Sequence, residues 1–289
     1  MYKIIEKKLI APGVTQTEIL APKIALKRKP GQFVILRFYE EGERIPLTIA
    51  DADTEKGTIT VISQNVGKST AYFENMQTGE DILDVVGPLG HPTKIENYGN
   101  IVCIGGGIGI APVYPIAEGM KKAGNHVVSI IGARTKELLI FEDKMSNVSD
   151  ELYIATDDGS YGEKGFVPDI LKKLVAKGEK FDLAVVIGPV PMMAVLSALT
   201  KEMNIPTIVS LNSLMVDGTG MCGACRVSIG GETKFTCVDG PEFDAHKVDF
   251  KELSERLKLF SRYSQAEREE YELEHKNPKC TVEKASNAE

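Results

Sequence analysis

Three cysteines and one aspartate in the C-terminal part of the sequence have the types and spacing of a metal-cluster site. Two residues separate Cys222 from Cys225, and eleven more separate Cys225 from Cys237. The plant-type [2Fe–2S] pattern is C-x4-C-x2-C followed by a distant cysteine, and Asp217 stands at the position of its first cysteine. The spacing therefore predicts a [2Fe–2S] cluster with Asp217, Cys222, Cys225 and Cys237 as ligands.

Glycines in the same segment favour a loop that wraps around such a cluster. Three glycines between Asp217 and Cys225 permit positive φ angles and a close approach of backbone N–H groups. Gly230 and Gly231 predict a hairpin turn that brings Cys237 back to the loop. Because a carboxylate is a harder donor than a thiolate, Asp217 is expected to change the reduction potential, in a direction that the sequence does not fix.

Three other interpretations of this segment stay open. Zinc accepts three cysteines and one aspartate as a structural site. Cys222 and Cys225 alone would make a thiol redox pair, but that leaves Cys237 and the glycines unexplained. Asp217 would be a solvated loop residue if water or another group supplied the fourth ligand. The iron–sulfur interpretation accounts for the most residues.

Composition limits the class of protein. A chain of 289 residues with 43% hydrophobic and 26% charged residues can form two globular domains and an appendage. A net charge of −7 argues against a general nucleic-acid binder. The sequence contains neither a signal peptide nor an apolar run of about 18–20 residues, so no membrane span is expected. Clustered cysteines favour a reducing, cytoplasmic location.

The first part of the chain predicts a small antiparallel β domain, because short β-rich segments alternate with Pro and Gly. Two of its stretches suggest a ligand. The stretch 44–50 places the hydroxyl of Thr48 on a strand, and the stretch 66–73 is a turn leading into a helix whose N–H groups can hold a pyrophosphate. The second stretch is not a P-loop, because Ile62 replaces the first glycine.

The middle of the chain predicts a doubly wound parallel sheet. Buried strands are expected at 100–104, 126–134, 151–156, 181–189 and 205–211, with helical patterns between them. Ligands of such sheets bind beyond the carboxyl ends of the strands. Three loops fall at that edge and together favour a dinucleotide, although tight turns needed only for packing are the alternative; they contain Gly105, Gly106, Gly107, Ile108, Gly109, Thr156, Asp157, Gly188 and Pro189.

The C-terminal segment predicts a packed helix followed by a charged end. Apolar residues recur at helical spacing from Phe250 to Phe260. The chain after Ala266 is charged and predicts a solvated helix and a disordered tip, with contact to a partner as the alternative. Cys280 and the histidines share no ligand spacing.

The predicted fold class is α/β plus all-β, in four parts: a barrel (1–98), a nucleotide domain (99–211), a cluster domain (212–250) and a helix with a tail (251–289).

The order of these parts resembles the ferredoxin-NADP reductase superfamily. The stretches PGQFVILRF, ERIPLTIAD and GGGIGIAP and the loop with Asp217 in place of cysteine are most similar to one branch. This branch contains the electron-transfer subunits of dihydroorotate dehydrogenases, the small subunits of NADH-dependent reduced ferredoxin:NADP oxidoreductases and the sulfide dehydrogenase subunits. The resemblance covers roughly residues 1–260.

The resemblance implies the site residues. Gly105–Gly109, Gly188 and Pro189 match nicotinamide-nucleotide loops, but Ile187 replaces a family cysteine. The family arginine before Pro46 is absent, and Arg44 lies one residue early. The FAD contacts implied are Pro46, Leu47, Thr48, Ile62, Ser63, Gln64, Ser69 and Thr70; Gly67 belongs to the turn whose N–H groups are expected to hold the pyrophosphate.

The implied function is an oxidoreductase subunit for electron transfer, without a catalytic side chain. Nicotinamide exchanges a hydride and a cluster exchanges one electron, so a flavin has to stand between them. The implied partner, in a heterodimer, is a larger flavoprotein subunit with its own FAD and [4Fe–4S] clusters, where ferredoxin and NADP(H) react in an electron-bifurcating transhydrogenase.

NAD(H) is the expected nucleotide, and NADP(H) is possible because of Arg134. Rivals are a dihydroorotate dehydrogenase subunit, which Asp217 argues against, a sulfide dehydrogenase subunit, and a zinc-stabilised nucleotide-binding module.

Overall fold

The N-terminal part of the chain forms a seven-stranded antiparallel sheet in the computed structural model, which describes residues 1–276. Side chains alternate between the two faces of each strand, and the inner face buries Ile4, Ile19, Leu36 and Ile59. The strand order is β6-β1-β2-β5-β4-β3-β7. The elements are β1 (Tyr2–Ala11), β2 (Val14–Leu20), α1 (Pro22–Ala25), β3 (Phe33–Arg37), β4 (Ile45–Asp53), β5 (Thr58–Gln64), α2 (Lys68–Asn75), β6 (Asp81–Ile82) and β7 (Asp84–Leu89).

The middle part forms the parallel sheet that the alternating pattern predicts. Its elements are β8 (Asn100–Gly106), α3 (Ile110–Lys122), β9 (His126–Ala133), α4 (Glu142–Val148), β10 (Glu151–Thr156), β11 (Glu163–Lys164), α5 (Val167–Ala176), β12 (Leu183–Ile187), α6 (Val190–Glu202) and β13 (Thr207–Ser210). The chain adds β9, β10 and β11 on one side of β8, then crosses to β12 and β13 on the other side. The strand order therefore reverses between β8 and β12, and ligands of open α/β sheets bind at such a point.

The C-terminal part is attached to both preceding parts. It consists of β14 (Arg226–Ile229), β15 (Glu232–Phe235), α7 (Thr236–Asp239), β16 (Glu242–Asp244) and α8 (Phe250–Lys276). Gly230 and Gly231, both with positive φ, form the predicted hairpin turn between β14 and β15. Strand β16 pairs antiparallel with β13 and becomes the edge of the nucleotide sheet. The sequence did not predict β16, because three residues give no alternation to detect.

The barrel and the nucleotide sheet share one hydrophobic cluster. Ala50 and Ile62 of the barrel pack in the same cluster as Ile110 and Val113 of α3. This contact fixes the cleft between the two parts, which is where a ligand common to both would lie. The predicted tip of the tail and Cys280 lie outside the described residues. Within the described part of the chain, no helix is both long enough and apolar enough to cross a bilayer.

A carboxylate lies where the barrel, the nucleotide sheet and the C-terminal part meet. Glu242 of β16 accepts a hydrogen bond from the Thr93 hydroxyl at 2.5 Å, and burial raises the pKa of its carboxyl from 4.5 to about 7. The charge of this carboxylate also contributes, after burial, to the raised pKa values of Tyr98 and the buried Cys103. Because the folded chain holds the proton more tightly, stability from Glu242 is full below about pH 4.5 and is lost as the pH rises to about 7.

We expect Glu242→Gln to remove this pH dependence, because an amide keeps a hydrogen bond to Thr93 and has no charge to bury. Chemical unfolding at about pH 5 and about pH 8 measures the effect, and the wild-type chain should lose about 2 kcal/mol more than the variant over this interval. Glu55→Gln, at an exposed turn, is the control and should behave like wild type. An equal pH dependence in wild type and Glu242→Gln would contradict the buried-carboxylate account.

Candidate cofactor site

A cavity of about 980 Å³ lies where the barrel, the nucleotide loops and the start of the cluster segment meet. Strands β4 and β5 supply one side, and the loops after β8, β10 and β12 supply the other. The cavity is large enough for a sizeable organic ligand. The predicted site residues that line it are Pro46, Leu47, Thr48, Ile62, Gln64, Gly106, Gly107, Ile108, Gly109, Asp157, Gly188 and Pro189.

Three predicted residues lie beside the cavity without lining it. Ser63 is buried and faces away, because it alternates with Ile62 and Gln64 on β5. A side chain at Gly105 would come within 2.9 Å of the Ile110 backbone, so this glycine serves the turn into α3. The buried hydroxyl of Thr156 donates to the Tyr161 carbonyl at 2.6 Å and braces the loop after β10.

The remaining predicted residues, Gly67, Ser69 and Thr70, form the N-terminal turn of α2 outside the cavity wall. The Thr70 hydroxyl accepts hydrogen bonds from the N–H groups of Val66 and Gly67, both at 3.0 Å. The Ser69 hydroxyl donates to the Glu43 carboxylate. A Cβ at Gly67 would meet nothing within 4 Å. The space beside Gly67 is therefore open, and no packing contact among residues 1–276 accounts for the glycine.

The glycines of the nucleotide loops have two different roles. A Cβ at Gly109 would collide with the Ile187 carbonyl and lie 2.7 Å from Gly188 Cα, so the loops after β8 and β12 touch through Gly109. Met192 fills the space beside Gly106 and Gly188. A side chain at Gly109 would therefore force the two loops apart, whereas one at Gly106 or Gly188 would displace the flexible end of Met192. Gly107 differs, because its φ is +55° and open space surrounds its missing Cβ.

Some residues that line the cavity were not predicted from the sequence. Phe33, Met192, Met215 and Pro241 line the cavity but were not predicted there. Met192 lies three residues after Pro189, so extending the predicted loop after β12 by three residues would have included it. Pro241 precedes β16 and reaches the cavity through the pairing of β16 with β13, which no local pattern indicates. Met215 lies in the segment between β13 and the cysteines.

Two of the predicted metal ligands form a buried pair. Cys225 and Cys237 are almost completely buried, and their sulfur atoms are 3.2 Å apart. Burial and the neighbouring Cys225 thiol raise the pKa of Cys237. Sulfurs on one tetrahedral metal are about 3.7 Å apart when each metal–sulfur bond is about 2.3 Å, so small shifts would let these two share a metal.

The other two predicted ligands lie on the exposed side of the same loop. Cys222 is exposed, and its N–H donates to the Asp217 carboxylate at 2.8 Å. Asp217 also accepts from the Thr219 N–H at 2.9 Å, and these backbone bonds lower the pKa of Asp217. Asp217 is thus ionised and joined to the cysteine loop. Across residues 1–276, no three ligating side chains converge on one point; the residue types and the buried sulfur pair fit a cluster.

The cysteine loop packs against the barrel beside the cavity. A Cβ at Gly218 would lie 2.6 Å from Leu89 and 3.0 Å from Ile35, so the loop sits directly on β3 and β7. Phe33 and Met215 pack in one cluster with Cys225 and Cys237, and both also line the cavity. The cavity and the cysteine pair therefore share a wall.

Comparison with known proteins agrees with this geometry. The family model of the iron–sulfur cluster binding domain of dihydroorotate dehydrogenase B matches residues 212–249, and that of the oxidoreductase NAD-binding domain matches residues 103–198. A dihydroorotate dehydrogenase B (NAD(+)) electron transfer subunit homolog from Thermotoga maritima is 48% identical over 94% of this chain and 95% of its own length. The electron transfer subunit from Geobacillus thermodenitrificans is 34% identical over 85% and 96%. The chain belongs to the family of dihydroorotate dehydrogenase B electron-transfer subunits and their homologues.

Solved structures agree with the assignment to this electron-transfer subunit family. A chain of the NADH-dependent reduced ferredoxin-NADP oxidoreductase, solved in a study of flavin-based electron bifurcation, superposes with a TM-score of 0.90 and 46% identity over 94% of this chain and 98% of that chain. A ferredoxin NADP+ reductase from Neisseria gonorrhoeae (TM-score 0.59, 22% identity, 70% of this chain and 90% of that chain) shows the fold alone. The predicted superfamily, fold class and oxidoreductase type are confirmed.

Membership of the electron-transfer subunit family also bears on the open interpretations. The cysteine loop lies inside a domain of the iron–sulfur type, which favours iron over zinc. The loops after β8, β10 and β12 lie inside an NAD-binding domain, so the glycines that pack against one another also shape a nucleotide site. Asp217 at the first ligand position and the domain boundaries remain predictions.

Proposed function

We propose that this chain is the NAD-side electron-transfer subunit of a larger flavoenzyme, passing electrons between NAD(H), FAD and a [2Fe–2S] cluster and on to a flavoprotein partner. When bound, FAD supplies the conversion between hydride and single-electron transfer. The observation that carries the proposal is the shared wall: Phe33 and Met215 line the cavity and also pack against Cys225 and Cys237. This arrangement brings a flavin in the cavity next to a cluster on the cysteines.

The chain binds and orients its cofactors rather than moving protons. Pro46, Leu47 and Thr48 present a strand backbone and a hydroxyl to the cavity, which suits one face of a flat ring system. Gly107 leaves space opposite them for a nicotinamide nucleotide. The open turn at Gly67 offers N–H groups of the first turn of α2 to the FAD pyrophosphate. No side-chain acid or base is assigned.

The cluster is assigned to Asp217, Cys222, Cys225 and Cys237. The buried pair of Cys225 and Cys237 faces the cavity wall, whereas Cys222 is exposed. The cluster would therefore have one side toward the flavin and one side toward solvent. Backbone N–H groups held by the loop glycines would tune its reduction potential.

The exposed side of the cysteine loop suits a protein partner. Met221 is 90% exposed next to Cys222, and Val216 and Val238 are also exposed nearby in the sequence of the loop. Apolar side chains around an exposed cluster ligand favour docking of another protein. The proposed partner is a larger flavoprotein subunit with its own FAD and [4Fe–4S] clusters, where ferredoxin and NADP(H) react, in a cytoplasmic heterodimer.

Anaerobic purification from the native host tests this function. We expect about one flavin, about two irons and about two inorganic sulfides per chain, together with a larger co-purifying flavoprotein. The identity of that chain separates the proposal from its rival, a dihydroorotate dehydrogenase electron-transfer subunit, which the names of several relatives favour. Co-purification with a dihydroorotate-oxidising or a sulfide-dehydrogenase subunit would replace the proposed partner, while absence of flavin and iron would overturn the function itself.

Asp217→Cys tests the predicted fourth ligand. Because a thiolate is a softer and stronger donor to iron than a carboxylate, the variant should retain the cluster and shift its reduction potential. Potentiometric titration of the cluster's EPR signal and its visible absorption spectrum measure the shift. Glu232→Cys, at an exposed position of the same domain, is the control and should leave both unchanged. An unchanged potential and spectrum in Asp217→Cys would count against ligation by Asp217.

A further inference from the structure

Helix α8 contacts both of the proposed cofactor loops, although its sequence predicted a solvated end. It runs over 27 residues, a length of about 40 Å. Its first part packs against α6 and β14, and its last part packs against α2 of the barrel. The helix therefore connects the cluster segment to the turn that is proposed to hold the FAD pyrophosphate.

The first contact ties α8 to the cysteine loop. Leu253 is 2% exposed and belongs to the core of the nucleotide sheet. One turn later, the Arg256 guanidinium donates a hydrogen bond to the Ala224 carbonyl at 3.1 Å. Ala224 lies between Cys222 and Cys225. A charged side chain of α8 thus holds the backbone between two proposed cluster ligands.

The second contact ties α8 to both ends of α2. Tyr271 is only 7% exposed, and its hydroxyl accepts a hydrogen bond from the Asn75 amide at 3.4 Å. The Arg268 guanidinium donates to the Asn65 carbonyl at 3.5 Å. Asn65 lies two residues before Gly67, the N-cap residue of α2. The C-terminal half of α8 is therefore fastened to the barrel rather than free in solvent.

These contacts allow α8 to act as a rigid spacer between the cysteine loop and α2. Arg256 and Arg268 are twelve residues apart, which corresponds to about 18 Å along a helix. A highly charged helix gains little stability without tertiary contacts, so Leu253 and Tyr271 at its two ends hold it in place. Because a helix resists stretching, fastening both ends fixes the separation of the loops that they touch.

We propose that α8 sets the separation between the flavin and the cluster, with Arg256, Arg268 and Tyr271 as positioning residues for electron transfer between them. This inference rests on the proposed function, because it requires FAD at the α2 end and a cluster on the cysteine loop. The inference assigns α8 to electron transfer from the flavin to the cluster. Hydride transfer from NADH does not depend on α8, since the nicotinamide reaches the flavin through the cavity between the barrel and the nucleotide sheet.

The test is a rapid-mixing measurement on the full chain with both cofactors bound. NADH is mixed anaerobically with wild type and with Tyr271→Ala, and absorbance follows flavin bleaching and cluster reduction separately. We expect flavin bleaching to stay within about twofold of wild type, while cluster reduction slows about tenfold or more, as small misplacements of reacting groups commonly do. Leu273→Ala, on the same helix at a side chain that is 71% exposed, is the control and should change neither rate.

A second pair of variants tests the other end of the helix. Arg256→Ala should also slow cluster reduction selectively, and Arg256→Lys should restore part of the rate, because an ammonium can still donate to the Ala224 carbonyl. Unchanged cluster reduction in Arg256→Ala would overturn the inference, whether or not Tyr271→Ala folds. Equal slowing of both steps would also overturn it, because that result indicates general loss of structure. A wild-type chain without flavin or cluster absorbance would instead refute the proposed function.

Discussion

Replacing Cys237 by serine is expected to abolish the iron–sulfur cluster. Cys237 is 2% exposed and its sulfur lies 3.2 Å from that of Cys225, so loss of this thiolate leaves the buried side of the cluster with one sulfur. Iron and sulfide should fall from about two per chain to background, and the cluster absorbance should disappear. The flavin should remain bound and should still be bleached by NADH, because the cavity keeps its other walls.

Cys103→Ala is the matched control for this prediction. Cys103 is also a buried free cysteine, but it lies on β8 inside the nucleotide sheet, and burial raises the pKa of its thiol to about 12. Its replacement should leave iron, sulfide and cluster absorbance at wild-type amounts. Retention of iron by Cys237→Ser, or its loss from Cys103→Ala, would contradict the assignment of the cluster to the cysteine loop.

Gly109→Ala is expected to cause the largest loss of nucleotide affinity among single-methyl changes. The added carbon would collide with the Ile187 carbonyl and lie 2.7 Å from Gly188 Cα. Both neighbours are backbone, so no side-chain rotation relieves the overlap, and the loops after β8 and β12 must separate. Overpacking of this kind costs up to about 3 kcal/mol. Because the two loops must come together again to hold the nucleotide, the same cost taken from the binding free energy would weaken NADH binding about a hundredfold.

Equilibrium titration of the flavoprotein with NAD(H), followed by flavin absorbance, measures this effect. Gly119→Ala on α3 is the control, because the nearest atom to its added carbon is the flexible end of Ile95 at 3.0 Å, and alanine favours a helix over glycine. It should bind NADH as wild type does. Wild-type affinity in Gly109→Ala would show that the contact between the two loops is not what shapes the nucleotide site.

The sequence predicts the parts of the site that local patterns encode. The glycine loops after β8 and β12 could be placed together, because parallel strands bring their carboxyl ends to one edge. The hairpin at Gly230 and Gly231 followed from its turn residues. On β5, Ile62 and Gln64 line the cavity and Ser63 does not, because only every second side chain of a strand faces the same way.

The parts that were not predicted depend on contacts between residues far apart in the chain. Phe33 and Met215 join the cavity to the cysteine pair, yet 182 positions separate them in the sequence and neither lies in a motif. Tyr271 is one buried ring in a charged helix, so no periodicity marked it. Glu242 becomes a buried carboxylate only when β16 pairs with β13. Tertiary packing, rather than local propensity, decides each of these positions.

Anaerobic titration of the purified chain with NADH, monitored by visible absorption and by EPR, tests the central claim most directly. The account predicts that a flavin band bleaches as NADH is added and that the EPR signal of a reduced [2Fe–2S] cluster then grows, because one of the two electrons of each hydride passes to the cluster while the other stays on the flavin. A colourless protein that contains zinc, binds no flavin and shows no EPR signal after addition of NADH would contradict the account and leave only the fold.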